Sequence, residues 1–288
     1  MKRIIILALL ILFPKLINSQ ILKTVKNISD DVLEVVHKKS DLDKKTGKIA
    51  KKLFISSELK KWGLDNGFDL VAGKYSTKIY SKSGEMLGTI TSKGTKKTIS
   101  TYSLIGRKSV NPLLNAKVFP SATYKVDNTI FKTDRHSRVL KARSPSITNN
   151  NPNRKSLTNT YRKHLKEIEK IGGIKNKDQR GHLIAHFLGG NSGAINIVAQ
   201  LGTLNQKKFK WIEELVGKNR KFIKNYEVDV IYKGQSKRPY AFKQKFEFRG
   251  DLRELKKEQI KNPTLKYIKK IDENGNTFYK CITYHKNS

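Results

Sequence analysis

Hydrophobic and polar positions change period several times along this chain. From Ile21 to Trp62 apolar residues recur at helical spacing, first Val32, Val35 and Val36, then Ile49, Leu53 and Phe54, with Lys and Asp between them. Gly63 and the pair Asn66-Gly67 punctuate the end of that pattern. The period then falls to two. YSTKIYS, a turn at KSGE, MLGTITS, a turn at KGTK and TISTYSLIG read as a β-meander, with Thr, Ile and Tyr in the strands and Gly and Lys in the turns.

Asn111-Pro112 opens a second unit. YKVDNTIFKTD, a turn at RHSR and VLKARS read as a hairpin, and Ser144 to Ser156 as a polar loop with Pro145, Pro152 and several Asn. Leu157 to Ile171 has helical spacing through Tyr161, Leu165 and Ile168 and stops at Gly172-Gly173. Leu204 to Lys224 is the clearest helix. EVDVIYKG and YAFKQKFEFRG follow as strands joined near Pro239, then a basic amphipathic helix over Leu252 to Ile271 and a last strand at FYKCITY. Strands and helices interleave without a repeated βαβ unit, so the expected class is α+β.

The ends of the chain and its charge add to this picture. Lys2 and Arg3, the apolar run Ile4 to Phe13, Pro14 and the small Ser19 before Gln20 read as a secretory signal peptide, residues 1–19. The run is shorter than the roughly 20 residues a bilayer crossing needs. The expected division is then 20–112, a helical and β-meander region of unassigned role, and 113–288, the unit that carries the chemistry. An exported chain with one cysteine, Cys281, forms no internal disulfide, so its fold rests on its core or on a metal. Lys and Arg number 60 against 24 Asp and Glu, a formal net charge of +36. Such a field captures polyanions, with nucleic acid as the default partner and anionic surface polymer as the alternative.

Chemistry-bearing residues converge in DQRGHLIAHFLGGNSGAINIVAQ, Asp178 to Gln200. In an extended strand Arg180, His182 and Ile184 share a face, setting a cation beside an imidazole. On the helix that follows, with Asn205 at zero and about 100° per residue, Phe209 falls near about +40°, Ile212 near about −20° and Val216 near about +20°. Asn205 therefore lies on the buried face, where an amide needs a partner, and Glu213 flanks it about 12 Å along the axis. The competing role for Asn205 is that of a helix N-cap. A strand with His, a turn, and a helix with inward Asn and flanking Glu would make a small metal-centred hydrolytic site.

Asp178-Gln179-Arg180-Gly181-His182, followed by Asn196-Ile197-Val198-Ala199-Gln200 and Asn205 to Glu213, resembles the DNA/RNA non-specific endonucleases, ββα-metal nucleases with an Asp-Arg-Gly-His hallmark. The likeness is to their bacterial secreted or toxin branch and covers roughly Val118 to Gly250. It implies a ββα-metal finger on a mixed or antiparallel sheet. It further implies His182 as general base, Asn205 as protein ligand of one Mg²⁺ (with Mn²⁺ a substitute), Glu213 as holder of metal-bound water, and Arg180 on the phosphate. Asn196, Gln200 and Asp178 would support the site or the substrate. Gln179 departs from the hallmark, in which Asp directly precedes Arg, and Glu214 is the lesser alternative to Glu213. A neutral imidazole, with an ordinary pKa near 6.5, can take a proton from water near neutral pH. Mg²⁺ prefers oxygen ligands and keeps several waters, so one amide ligand suffices if phosphate oxygens complete the shell.

Other readings follow from the same residues. His182 and His186 stand four apart, as in a helical zinc site, but Leu183 occupies the position where a metalloprotease needs Glu. Tyr226, Tyr232, Tyr240 and Phe242 suit base stacking or plain strand packing. The expected function is a secreted Mg²⁺-dependent endonuclease acting on DNA, with RNA as a further substrate. Its rivals are a non-catalytic cationic binder of extracellular nucleic acid or surface polymer, and an interbacterial nuclease toxin with a dedicated inhibitor protein.

Overall fold

A computed structural model describes residues 55–105, 109–147 and 168–288. The signal-peptide reading, the helical pattern up to Phe54, most of the polar loop and the helix expected from Leu157 to residue 167 lie outside the described residues. Ile55–Ser288 forms one compact unit.

The unit opens with helix α1 (Ser57–Asp65), whose first turn is capped by the Ser56 hydroxyl accepting from the Leu59 N–H at 3.3 Å. Strands β1 (Asp69–Ala72), β2 (Thr77–Tyr80), β3 (Met86–Lys93) and β4 (Lys96–Thr101) follow, and β2 to β4 match the meander read from the sequence. A short ribbon, β5 (Leu104–Ile105) with β6 (Ser109–Val110), leads to β7 (Ala122–Val126), β8 (Thr129–Thr133) and β9 (Val139–Ser146). YKVDNTIFKTD is therefore two strands and not one. Asp127 adopts φ 48°, a left-handed turn conformation that the short Asp side chain tolerates, and β7 folds back on β8 there. The polar loop also starts late, because β9 runs to Ser146.

The second half contributes a separate ribbon, β10 (Asp178–His182) with β11 (Ile197–Leu201), then helix α2 (Lys210–Lys218), β12 (Ile223–Ile231), β13 (Ala241–Phe248), helix α3 (Leu252–Lys261), β14 (Lys266–Ile271) and β15 (Thr277–Lys286). Two helices read from the sequence are shorter than expected. Leu204 to Lys224 divides into a π-helical segment Leu204–Phe209, α2, and a single 3-10 turn Arg220–Phe222 before β12 begins. Leu252 to Ile271 ends at Lys261, because Pro263 disfavours helical backbone at Asn262, and the rest becomes β14.

Eleven strands form one sheet in the order β1-β2-β3-β4-β7-β8-β9-β12-β13-β15-β14. Neighbours are antiparallel except β4 and β7, which pair in parallel across the compositional boundary near residue 112. The architecture is α+β, as the interleaved pattern implied. Burial alternates along β12 and β13, so one sheet face is wet and the other is core. On the wet face Lys141 bridges Glu227 at 2.8 Å and Asp229 at 3.2 Å, and Lys245 bridges the same two carboxylates from the other side. On the core face Phe209, Ile212 and Val216 of the π/α2 segment pack, all fully buried, in one cluster with Phe242 and Phe246 of β13. That apolar stripe places Asn205 and Glu213 between the helix and the structures beneath it.

Candidate active site

The β10–β11 ribbon shares no backbone ladder with the main sheet. Side chains hold it in place. Asp178, the first residue of β10, is 8% exposed and accepts a bidentate pair from Arg238 of the β12–β13 connection, Nε at 2.6 Å and Nη2 at 2.8 Å. It also accepts the Ile174 N–H at 2.8 Å. Burial alone would raise the Asp178 pKa. The Arg238 hydrogen bonds, the Ile174 amide and the nearby positive charge outweigh it and hold the carboxyl below the usual range. A second clamp comes from the chain's far end. Asn287 accepts from the Leu201 N–H at 2.7 Å and donates to the carbonyls of Ala199 (3.1 Å) and Pro239 (2.9 Å).

Beyond β10 the chain turns through Leu183 and Ile184, both fully buried. The strand ends at His182, so Ile184 belongs to the core and not to the Arg180–His182 face as the alternation suggested. Asn196 builds the turn. Its side chain accepts from the Ile184 N–H (3.0 Å) and donates to the carbonyls of Ile184 and Asn191 (each 2.8 Å). A Cβ on Gly190 would fall 1.9 Å from the Ile184 carbonyl oxygen, so only glycine fits where the loop folds back. A Cβ on Gly181 would fall 2.0 Å from Oε1 of Gln200, which lies beneath β10. Gln200 is 1% exposed, and neither polar atom of its amide has a partner among the described residues.

The helical segment is tied to this ribbon at two places. Asn205, in the π segment, donates to Oε1 of Gln179 at 3.0 Å. Eight positions on, the Ala185 backbone N–H is directed at the carboxylate of Glu213. Arg180 and His182 lie between those ties, both half-buried. The pleat sets Asp178, Arg180 and His182 on one face of β10 and Gln179 and Gly181 on the other, toward Asn205 and Gln200. Asn205 is not an N-cap, since Thr203 holds that position without a side-chain capping bond. Donation from Nδ2 to Gln179 fixes the amide orientation and presents Oδ1 as an acceptor.

Glu213 and Glu214 have different environments. Glu213 is 8% exposed, its Oε1 has no hydrogen-bond partner among the described residues, and burial pushes its carboxyl well above the usual range. Glu214 pairs with Lys210 at 3.6 Å and lines a cavity of about 210 Å³ with Trp211, Leu215, Phe246, Glu254 and Glu258; the cavity contains none of the other candidate residues. Of the aromatics considered for stacking, Tyr226 and Phe242 are fully buried. Tyr232 carries the Arg138 guanidinium at 4.4 Å, and Lys233 sits over Tyr240 at 3.9 Å. No group of three or more His, Cys, Asp or Glu gathers as a metal cage among the described residues. The donors on offer are instead oxygens, from one amide and one carboxylate, which suits a hard cation that brings its own water.

Sequence reasoning missed Gln179 and Arg238. Gln179 interrupts the familiar motif and was read only as a departure, yet its place on the opposite pleat from Arg180 was available. Arg238 stands 60 residues from Asp178, beyond the reach of any local signal.

A ribbon carrying Arg-Gly-His is thus followed by a helical segment carrying inward Asn and Glu. Residues 120–250 match the family model described as DNA/RNA non-specific endonuclease. Over those residues the chain is similar to that family. It is 34% identical over 83 residues to the Staphylococcus aureus type VII secretion system protein EssD, an alignment covering 26% of this chain and 13% of that protein. A solved structure titled extracellular endonuclease is 16% identical, covering 54% of this chain and 75% of its own, with a TM-score of 0.33. Another, titled extracellular nuclease, is 16% identical over 54% of this chain and 80% of its own, with a TM-score of 0.30.

Two stability predictions follow from the clamps and the buried polar groups. Asp178→Ala or Arg238→Ala leaves a charge without its buried partner and lowers stability by about 3–5 kcal/mol in urea titration, with the double variant costing less than the sum. His285 on β15 is 3% exposed, and burial, aided by the charge of Lys208, pushes its pKa down to about 4. Its folded pKa lies below the unfolded value near 6.5, so the unfolded chain takes up the proton first. Stability present above about pH 6.5 is therefore lost as pH falls toward about 4, by about 3 kcal/mol, and His285→Gln flattens that slope.

Proposed function

We propose that this chain is an exported, divalent-metal-dependent endonuclease that hydrolyses phosphodiesters without sequence preference, and that its reactive centre is a ββα-metal finger formed by β10, β11 and the π/α2 segment. The observation that carries the proposal is the pair of ties, Gln179 to Asn205 and Ala185 to Glu213, that bracket Arg180 and His182. In this reading Asn205 Oδ1 and the Glu213 carboxylate are the groups that would hold Mg²⁺ and its water. The ion, when bound, would supply charge stabilisation for the phosphoryl group and the departing 3′ oxygen.

Each residue then has one task. Arg180 grips the phosphate through its planar fork of donors. His182 takes a proton from the attacking water as the oxygen–phosphorus bond forms and the bond to the 3′ oxygen breaks, leaving a 5′-phosphate. Asp178, Asn196 and Gln200 support the ribbon and its turn. The formal charge of +36 attracts the phosphate backbone, which carries no base information, and so suits a sequence-tolerant enzyme on DNA and on RNA. Export is supported by the charged start, apolar run and small residue of positions 1–19. No helix among the described residues is long and apolar enough to cross a membrane. A toxin reading uses the same chemistry and adds a dedicated inhibitor protein; its support is the likeness to a protein named for a type VII secretion system.

Supercoiled plasmid and a structured RNA, each incubated with the full chain, test the proposal. Cleavage of plasmid is expected with Mg²⁺ or Mn²⁺ and is expected to stop with EDTA. His182→Ala is expected to lose at least about 100-fold in rate. Full activity in that variant removes His182 as the base, and salt-sensitive binding without cleavage under any divalent metal leaves a cationic binder.

A further inference from the structure

Lysines form a ladder on the solvent side of the sheet at its far edge. β13, β15 and β14 are the last three strands in the order, and β14 has no strand beyond it. Along β15 the inward positions Cys281, Thr283 and His285 are buried, and the positions between them face solvent. On that outer face each two-residue step carries one lysine. Lys270 stands opposite Phe278, Lys280 belongs to β15 itself, Lys266 stands opposite Ile282, Lys243 stands opposite Tyr284, and Lys286 ends the row. Lys243 is half-buried and the other four are exposed. None of the five forms an ion pair among the described residues. The carboxylates opposite the ladder in the register, Asp229 and Glu247, are engaged elsewhere: Asp229 by Lys141 and Lys245, Glu247 by Arg249.

Uncompensated like charges on neighbouring strands repel, so this row costs stability unless an anion covers it. Its spacing fits a polyphosphate. Successive ladder positions lie about 6.8 Å apart along the strand, twice the roughly 3.4 Å rise per phosphate on one strand of a duplex. Four such steps match about 27 Å of backbone. Ile268 and Tyr284, 62% and 43% exposed, stand singly between ammonium groups and make no continuous apolar face of the kind that enters a bilayer. On the inner side of the same strands Phe242 and Phe246 pack in one cluster with Phe209 and Ile212, so the ladder lies across the sheet from the helix that bears Glu213. We propose that the ladder is a second nucleic-acid site, which binds phosphate backbone on the sheet face opposite the finger and keeps the chain on long substrates between cuts. The proposal rests on nucleic acid being the substrate. It adds an anchoring surface whose lysines, Lys243 apart, lie beyond the matched residues 120–250.

Binding of a labelled duplex of about 30 bp to the full chain, titrated with salt in EDTA so that nothing is cut, tests the ladder. The ladder variant is Lys266→Gln/Lys270→Gln/Lys280→Gln. The control, Lys60→Gln/Lys221→Gln/Lys256→Gln, removes the same charge at exposed positions on other elements. The slope of log K against log salt is expected to fall by about 2–3 in the ladder variant, at about 0.9 per phosphate contact, and by under about 0.5 in the control. With Mg²⁺ the ladder variant is expected to raise KM for plasmid at least about fivefold at unchanged kcat, and to leave kcat/KM on a duplex of about 8 bp within about twofold. Should the triple variant melt early, Lys243→Gln/Lys286→Gln at the other end of the row is expected to lower the slope by about 1–2. An unchanged slope, or equal loss in ladder and control variants, overturns the proposal. So does a ladder variant that loses binding to phosphatidylglycerol vesicles while keeping the wild-type DNA slope, which assigns the row to a lipid surface. A wild type that binds the duplex but cleaves with no divalent metal overturns the nuclease reading and leaves the ladder to be judged by its slope; a wild type that binds no duplex overturns both.

Discussion

The ribbon bearing Arg180 and His182 depends on a buried carboxylate for its position. A two-stranded ribbon is marginal by itself in water, and β10–β11 has no strand neighbour in the eleven-stranded sheet. Asp178 supplies the missing connection through Arg238, with its side chain fully buried and the arginine 20% exposed. The pairing costs desolvation, which is why the geometry has to be bidentate and why the Ile174 amide joins it. Asn287 makes the second fastening from the chain terminus. With the ribbon held at Asp178 and at Leu201, the loop beyond His182 is free to be shaped by Asn196, and the helix can dock along it.

Docking of the helix rests on a different force. Phe209, Ile212 and Val216 bury an apolar stripe in the core they share with β13, and this sets which side of the helix faces inward. The π segment adjusts that orientation at its start, where Asn205 meets Gln179. Extra-residue turns of this kind distort the regular ladder and occur often where a side chain must be aimed. The wet sheet face contributes little to the chemistry. There Lys141 and Lys245 hold Glu227 and Asp229 across β9, β12 and β13.

The sequence displayed much of this fold, for reasons that can be named. Alternation along YAFKQKFEFRG and the Gly-Lys turns of the meander are local signals, and local signals survive in the structure. The failures share a cause. Asp127 reverses the chain inside what reads as one strand, and Pro263 converts half of an amphipathic helix into β14. β1, four residues that alternate between exposed and half-buried with none in the core, carries no pattern strong enough to find. The inward placement of Asn205 and Glu213 was legible, because helical spacing puts them on the side of Phe209 and Ile212. The ties made by Gln179 and Arg238 were not, because each acts on a partner 26 or more residues away. Spacing rules stop at one element, and the tertiary contacts that aim a side chain begin where they stop.

In the proposed site Gln179 aims Asn205 so that its amide oxygen is presented to a divalent cation. Binding of Mn²⁺ to the full chain without nucleic acid, followed by electron paramagnetic resonance, tests it without reference to turnover. One saturable site is expected in the wild type, with loss of that site in Asn205→Ala and affinity weakened about 10- to 100-fold in Gln179→Ala. Wild-type affinity retained in Asn205→Ala would contradict it.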